Sequence, residues 1–325
     1  INNNSENNNS NNNDNNKASN TDKLLSLNNS LLFQSKFNKN LIKIIRDKQT
    51  SLCLSLDIPL WRDGRKILET CAPYICMVKL HCNLINDWNN ETIDELLMLK
   101  QKYNFLIMQD SKLSDVPKIN LKEITSIKYK INTWADCITC NWYTYVDFCN
   151  GNSTSNDISD IEVIAVCDMN LHKINSYLTD SYNESINNLI IPYNKFKNYK
   201  FNISVFDNDD YNESEFINNF NCIVTQNKFN SNNNIIRMTP GVVEVDDDLN
   251  FCDSNKYRSV EKAMIYDKNH VVIIGSNIID EYHCDNLLEK CSSCAKKTWE
   301  YFTLMYGHLL NDELLDNNAE ESVKE

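Results

Sequence analysis

Eight short apolar runs recur along the chain, each bounded by polar residues and rich in β-forming side chains. In order they are "SLCLSLD" ending at Asp57, "YICMVK" at Lys79, "FLIMQD" at Asp110, "ADCIT" at Thr139, "VIAVCD" at Asp168, "FNISVF" at Phe206, "IIRMTP" at Pro240 and "VVIIG" at Gly275. The gaps carry helical spacing or helix-forming composition, as in "DGRKILETC", "ETIDELLMLKQKY", "LKEITSIKYKI", "YRSVEKAMIY" and the long "CDNLLEKCSSCAKKTWEYFTLMY". Strands that alternate with helices predict a parallel sheet, and eight such units predict a closed (β/α)8 TIM barrel built as a single domain. An open doubly wound sheet is the alternative, but no glycine-rich phosphate loop follows the first strand.

The ends of the chain read differently. "INNNSENNNSNNNDNNKASN" is a polar low-complexity tract that cannot bury a core, so residues 1–30 are expected to form a disordered Asn-rich arm. The barrel is expected over residues 31–310 and an acidic tail over 311–325. A start at Ile1 rather than Met reads as a fragment or a processed form.

Composition narrows the function classes. A hydrophobic content of 42% over 325 residues supports a substantial core. No apolar run is long enough to cross a bilayer, which predicts a soluble cytoplasmic protein with no membrane partner. The net charge of −13 argues against a nucleic-acid surface, although a locally positive pocket could still take a small anionic ligand. The 13 cysteines sit within apolar runs and read as free buried thiols. Cys137-x-x-Cys140 and Cys291-x-x-Cys294 have zinc-like spacing, yet one pair ends a strand and the other lies on a helix, so no metal is expected. Trp299, Tyr301, Phe302 and Tyr306 are expected to pack the last helix on the barrel.

Chemistry in such a barrel sits at the C-terminal ends of the strands. Polar residues gather there on three successive runs: Ser55 and Asp57, Lys79 and His81, Asp110 and Lys112, with Asp115 three residues further on. Residues two apart on an extended chain point the same way, so Asp110 and Lys112 can both face the barrel mouth. Lysines alternating with carboxylates would offset one another's charge. A solvated salt-bridge cluster is the bland reading of any one of these pairs, and the repetition on neighbouring strands favours a site.

The segments "SLCLSLD", "MVKLH", "KYNFLIMQDSKLSDV" and "MTPGV" together resemble the signatures of orotidine 5'-phosphate decarboxylase, particularly the fungal type. The D-x-K-x-x-D segment is Asp110, Lys112 and Asp115, and the lysine of the preceding strand is Lys79. The resemblance implies decarboxylation of orotidine monophosphate to uridine monophosphate without a cofactor. It implies that Lys112 protonates the pyrimidine C6 and stabilises its carbanion, that Asp110 and Asp115 hold the lysine, and that Lys79 and Asp57 contact the ribose. It also implies a homodimer with shared active sites, Asp115 acting across the interface. The candidate substrate-binding positions at the matching segments are Ser55, Asp57, His81, Asn170, Pro240, Gly241, Asn255, Lys256, Tyr257, Gly275 and Ser276.

The nucleotide-holding residues depart from that pattern. The family's Gly-Arg-Gly is Gly275, Ser276 and Asn277 here, and its Gln-x-Tyr-Arg is Asn255, Lys256, Tyr257 and Arg258. The family's threonine after the last carboxylate is Ile119, a nearby glycine is Pro117, the serine after strand five is Asn170, and Asn-Ala-His is Thr139, Cys140 and Asn141. Lys256 is a cation the family lacks, placed to substitute for the missing arginine. Two further classes stay open: a non-catalytic descendant that keeps the barrel dimer as a binding or structural module, and a metal-dependent aldolase or decarboxylase acting on a sugar phosphate.

Overall fold

A computed structural model describes residues 35–141, 144–145, 158–167, 221–226, 235–244, 257–283 and 286–311. Eight parallel strands close into a barrel: β1 (Leu52–Ser55), β2 (Met77–Leu80), β3 (Leu106–Leu113), β4 (Cys137–Asn141), β5 (Glu162–Val166), β6 (Cys222–Val224), β7 (Ile236–Thr239) and β10 (Val271–Ile274). A separate two-stranded ribbon pairs β8 (Val242–Val243) with β9 (Arg258–Ser259). The barrel closes where Leu52, Cys53 and Leu54 pair with Val272, Ile273 and Ile274. Every residue of β1, β2, β4, β6, β7 and β10 is buried, as expected of strands packed on both faces.

The sixth stave differs from the sequence expectation. Phe201–Phe206 lies outside the described residues, and the position between β5 and β7 is filled by Cys222–Val224, which pairs with both. Three wholly buried apolar residues suffice there because neighbours satisfy the backbone on either side.

Helix α1 (Lys36–Lys48) precedes β1 and packs Leu41, Ile42, Ile44 and Ile45 into the core. It is tied to strand starts by Ser35 Oγ to Glu162 Oε2 at 3.1 Å and Asn38 Nδ2 to the Asn221 carbonyl at 3.0 Å. Helices α2 (Trp61–Cys71) and α3 (Asn90–Tyr103) follow β1 and β2 as expected. Asn89 caps α3 by accepting from the Thr92 N–H, and Asn104 ends it at φ 52°.

The next helix is shorter than its composition predicts. α4 spans Pro117–Ile124 and stops where Thr125 Oγ1 returns to the Leu121 carbonyl and Ser126 Oγ takes the Tyr129 N–H. Such local side-chain bonds compete with helix continuation. "YRSVEKAMIY" also departs from a simple helix, since Arg258–Ser259 is strand, and of the wound residues 260–266 Lys262–Tyr266 form a π turn. The last helix, α5 (Leu287–Tyr306), behaves as read: Leu287, Cys291, Cys294, Ala295, Thr298, Phe302 and Tyr306 form one buried stripe. All ten described cysteines are free and buried, the two C-x-x-C pairs included. No described helix is long and apolar enough to cross a membrane.

Candidate active site

The C-terminal ends of β1, β2, β3, β7 and β10 surround a cavity of about 530 Å³. Met108, Val166, Val224 and Ile273 supply apolar wall, and the polar lining includes Ser55, Asp57, Lys79, His81, Asp110 and Lys112. The sequence-nominated Pro240, Gly241, Tyr257, Gly275 and Ser276 line it too. Gly241 stands at φ 72°, a conformation glycine adopts without strain. At Gly275 a side-chain carbon would come within 3.2 Å of the Ser55 Cβ, so glycine lets β10 end close beside β1.

The ionic groups form a chain of alternating sign. Lys79 Nζ lies 3.5 Å from Asp57 Oδ1, 3.1 Å from Asp110 Oδ2 and 3.0 Å from His81 Nε2. Lys112 Nζ donates to the same Asp110 oxygen at 2.6 Å. Ser55 Oγ donates to Asp57 Oδ2 at 2.7 Å, which aims that carboxylate into the cluster. Asp110 is thus the shared acceptor of two ammonium groups. Burial pushes its carboxyl up, but the His81 hydrogen bond and the charges of Lys79 and Lys112 outweigh burial and hold it well below the usual carboxylate range. His81 Nε2 also lies 3.3 Å from Asp110 Oδ2, so it can donate there or accept from Lys79, but not both at once.

Lys112 reaches this position through an irregular backbone. The register of β3 against β4 shifts between Gln109 and Leu113, and Lys112 sits at φ 51° within the shift. Thr139 Oγ1 accepts from the Lys112 N–H at 2.9 Å and donates to Asp110 Oδ1 at 2.7 Å.

Asp115 is not part of this cluster within one chain. It is exposed, and its carboxylate takes the neighbouring Val116 N–H at 2.6 Å. The alternating network therefore runs Asp57–Lys79–Asp110–Lys112 rather than placing Lys112 between Asp110 and Asp115. Asn170, Asn255 and Lys256 lie outside the described residues. Arg258 turns to Asp267 Oδ2 at 2.6 Å and to Thr239 Oγ1, and is not among the residues lining the cavity. Among the described residues no trio of His, Cys, Asp or Glu is arranged to hold a metal ion.

Two participants went unnoticed in the sequence. Gln226 lines the cavity just beyond β6, and was hidden by the wrong choice of sixth stave. Its signal was "NCIVTQ", an apolar triplet followed by a polar pair, as at the other strand ends. In the sequence Thr139 is the end of an apolar run and the first residue of the altered Asn-Ala-His segment; its bonds cross from β4 to β3 and are not legible there.

An ammonium facing a cavity and locked to a carboxylate can stabilise an anion and deliver a proton. Residues 50–176 match the family model described as Orotidine 5'-phosphate decarboxylase / HUMPS family. The chain resembles orotidine 5'-phosphate decarboxylases. The enzyme of that name from Candida tropicalis is 34% identical over 111 residues, 34% of this chain and 41% of the relative. The Saccharomycopsis fibuligera enzyme is 39% identical over 104 residues, 32% of this chain and 39% of the relative. The matched segments span about two fifths of these curated relatives. A crystal structure of orotidine 5'-monophosphate decarboxylase from Methanocaldococcus jannaschii, complexed with the inhibitor BMP, superposes with a TM-score of 0.51 at 17% identity, covering 78% of this chain and 98% of that one. That likeness is one of fold, the closed (β/α)8 barrel.

Proposed function

We propose that this protein decarboxylates orotidine 5'-monophosphate to uridine 5'-monophosphate and CO₂. One observation carries the reading: the Asp57–Lys79–Asp110–Lys112 chain of charges lines a cavity at the C-terminal ends of the barrel strands. In this reading the C6–carboxylate bond breaks and its electron pair stays on C6. The Lys112 ammonium stabilises that carbanion and gives it a proton, and solvent restores the lysine. Asp110 holds the ammonium beside C6, and Lys79 and Asp57 bind the ribose. No cofactor enters.

The site is shared between two copies in this reading, with Asp115 completing the partner's cavity. Its exposure supports this, as does the apolar surface that follows it: Val116 is 60% and Ile119 45% exposed.

The phosphate end sets the expected performance. Ser276 lines the cavity where the family pattern has arginine, and a lost charged hydrogen bond weakens binding by about 1.5–3 kcal/mol. Remote binding energy of this kind organises the reacting centre, so turnover is expected to be slower than with a full phosphate grip. Ser276 also favours the second reading, a non-catalytic descendant that keeps the barrel dimer. Following the ultraviolet absorbance of orotidine 5'-monophosphate separates the two. Loss of absorbance that stops in Lys112→Ala supports the enzyme. A folded, dimeric wild type that leaves the absorbance unchanged supports the descendant.

A further inference from the structure

Strand β4 holds the backbone of Lys112 with side chains, at a point where a regular ladder would use main-chain groups. The Lys112 N–H donates to Thr139 Oγ1 at 2.9 Å, and its carbonyl accepts from Asn141 Nδ2 at 3.1 Å. Both β4 residues are buried. Between these bonds Lys112 is kept at φ 51°, in a region that a residue with a β-carbon avoids unless its surroundings impose it.

The hydroxyl of Thr139 has one proton and two lone pairs. A backbone N–H can only donate, so the lone pair toward Lys112 is occupied and the hydroxyl proton is left for Asp110 Oδ1 at 2.7 Å. The other oxygen of Asp110 receives the Lys112 ammonium at 2.6 Å. One hydroxyl therefore fixes both members of the pair, the lysine through its backbone and the aspartate through its side chain.

We propose that Thr139, supported by Asn141, is a positioning residue that aims the Lys112 ammonium at the reacting carbon. The proposal rests on the decarboxylase reading for its catalytic consequence. Its geometric content, that the hydroxyl holds the ammonium on Asp110, stands apart from that reading. Removal of the hydroxyl frees the Asp110 oxygen and the Lys112 N–H together, and the backbone can then leave the left-handed region. The ammonium would shift, while Lys79 keeps Asp57 as a partner that does not depend on the hydroxyl, so the ribose contacts change less.

Two measurements on Thr139→Val and Thr139→Ser test this. Valine keeps the branched shape without the hydroxyl, and serine keeps the hydroxyl. Steady-state kinetics with orotidine 5'-monophosphate should show kcat reduced about 100-fold in T139V, the scale of a displaced reacting group, with KM moved by less than about threefold. T139S should recover most of the loss. Acetylation of Lys112 by acetic anhydride, followed by peptide mass spectrometry, should be several-fold faster in T139V than in wild type or T139S. Should T139V fail to fold, Asn141→Ala serves for the acetylation arm and should also raise the rate. Wild-type kcat together with wild-type acetylation in T139V overturns the proposal, and so does an equal loss in T139S. If the wild type itself does not turn over the nucleotide, the decarboxylase reading falls and the acetylation rates alone decide the clamp: equal rates overturn it, faster labelling in T139V upholds it.

Discussion

Lys112 Nζ and Lys79 Nζ share one oxygen of Asp110, at 2.6 and 3.1 Å. Two ammonium groups repel each other and stay together on a single carboxylate oxygen only while that carboxylate is charged. Asp110→Asn should therefore cost stability as well as any activity. Loss of one partner from a buried ionic cluster destabilises by about 3–5 kcal/mol, and the lower end is expected here because Lys79 keeps Asp57 and Lys112 is partly hydrated. The pH dependence has a definite sign. A carboxyl held below its ordinary 3.8 contributes stability that is complete above that value and is lost as the pH falls below it. Urea midpoints measured between about pH 5 and pH 3 should fall more steeply for wild type than for D110N.

Asp115 offers a test of the shared site. If each cavity takes Lys112 from one copy and Asp115 from the other, Lys112→Ala and Asp115→Ala should each be inactive alone. Mixed and allowed to exchange subunits, they should recover about a quarter of wild-type turnover, since half of the pairs are mixed and each mixed pair has one intact site. A mixture as inactive as its parents would place both residues in the same site.

The fold was largely legible because seven of the eight staves are short apolar runs with polar ends. The sixth was misread for a physical reason: β6 needs only Cys222–Val224 when neighbours pair on both sides, whereas "FNISVF" has a stronger β-forming composition. Among the ionic residues, Lys79, Asp110 and Lys112 could be read from spacing along strands. What spacing could not supply was the left-handed backbone at Lys112, which depends on Thr139 across the β3–β4 register shift. Asp115 shows the opposite limit. Its motif position was plain, but its distance from the charge cluster depends on the loop that carries it, which spacing does not fix.

His270 supplies a pH prediction away from the cavity. It is buried, stacks on Tyr306 with ring centroids 4.0 Å apart, and accepts the Arg237 N–H on Nδ1 at 3.1 Å. Burial first, then the charges of Arg237 and His308, hold its imidazole well below the usual 6.5. The folded protein keeps it neutral while the unfolded chain takes up a proton below that pH. Stability is thus retained above about 6.5 and declines at lower pH by up to about 1.4 kcal/mol per unit. His270→Asn can still accept the Arg237 N–H and should remove that slope. Urea unfolding of both proteins at about pH 7 and pH 5 checks this, and equal declines would show that His270 is not the group responsible.

The buried thiols supply a prediction for alkaline pH. Cys53, Cys76, Cys82, Cys137, Cys140, Cys222, Cys291 and Cys294 all have their ionisation pushed up, to about 12 for Cys76 and Cys82 and about 11 for Cys140. Burial is the leading cause except at Cys291, where the Cys71 thiol comes first. Each stays neutral in the fold but ionises near 9.0 once unfolded, so each contributes stability that is present below that pH and lost above it, by about 1.4 kcal/mol per unit. Lys48 acts in the opposite direction. Its ammonium donates to the carbonyls of Ala72, Tyr103 and Asn104, and burial lowers its pKa to about 8, so the fold gains from this group as the pH rises. Eight thiols act in one direction and one lysine in the other, so the net expectation is a loss of stability as the pH rises above about 9. Urea midpoints should hold to about pH 8.5 and fall progressively above about pH 9, under reducing conditions throughout. Cys222→Val should lessen the alkaline slope by about 1.4 kcal/mol per unit, and a midpoint that stays flat to about pH 10.5 would mean the thiols are hydrated rather than buried.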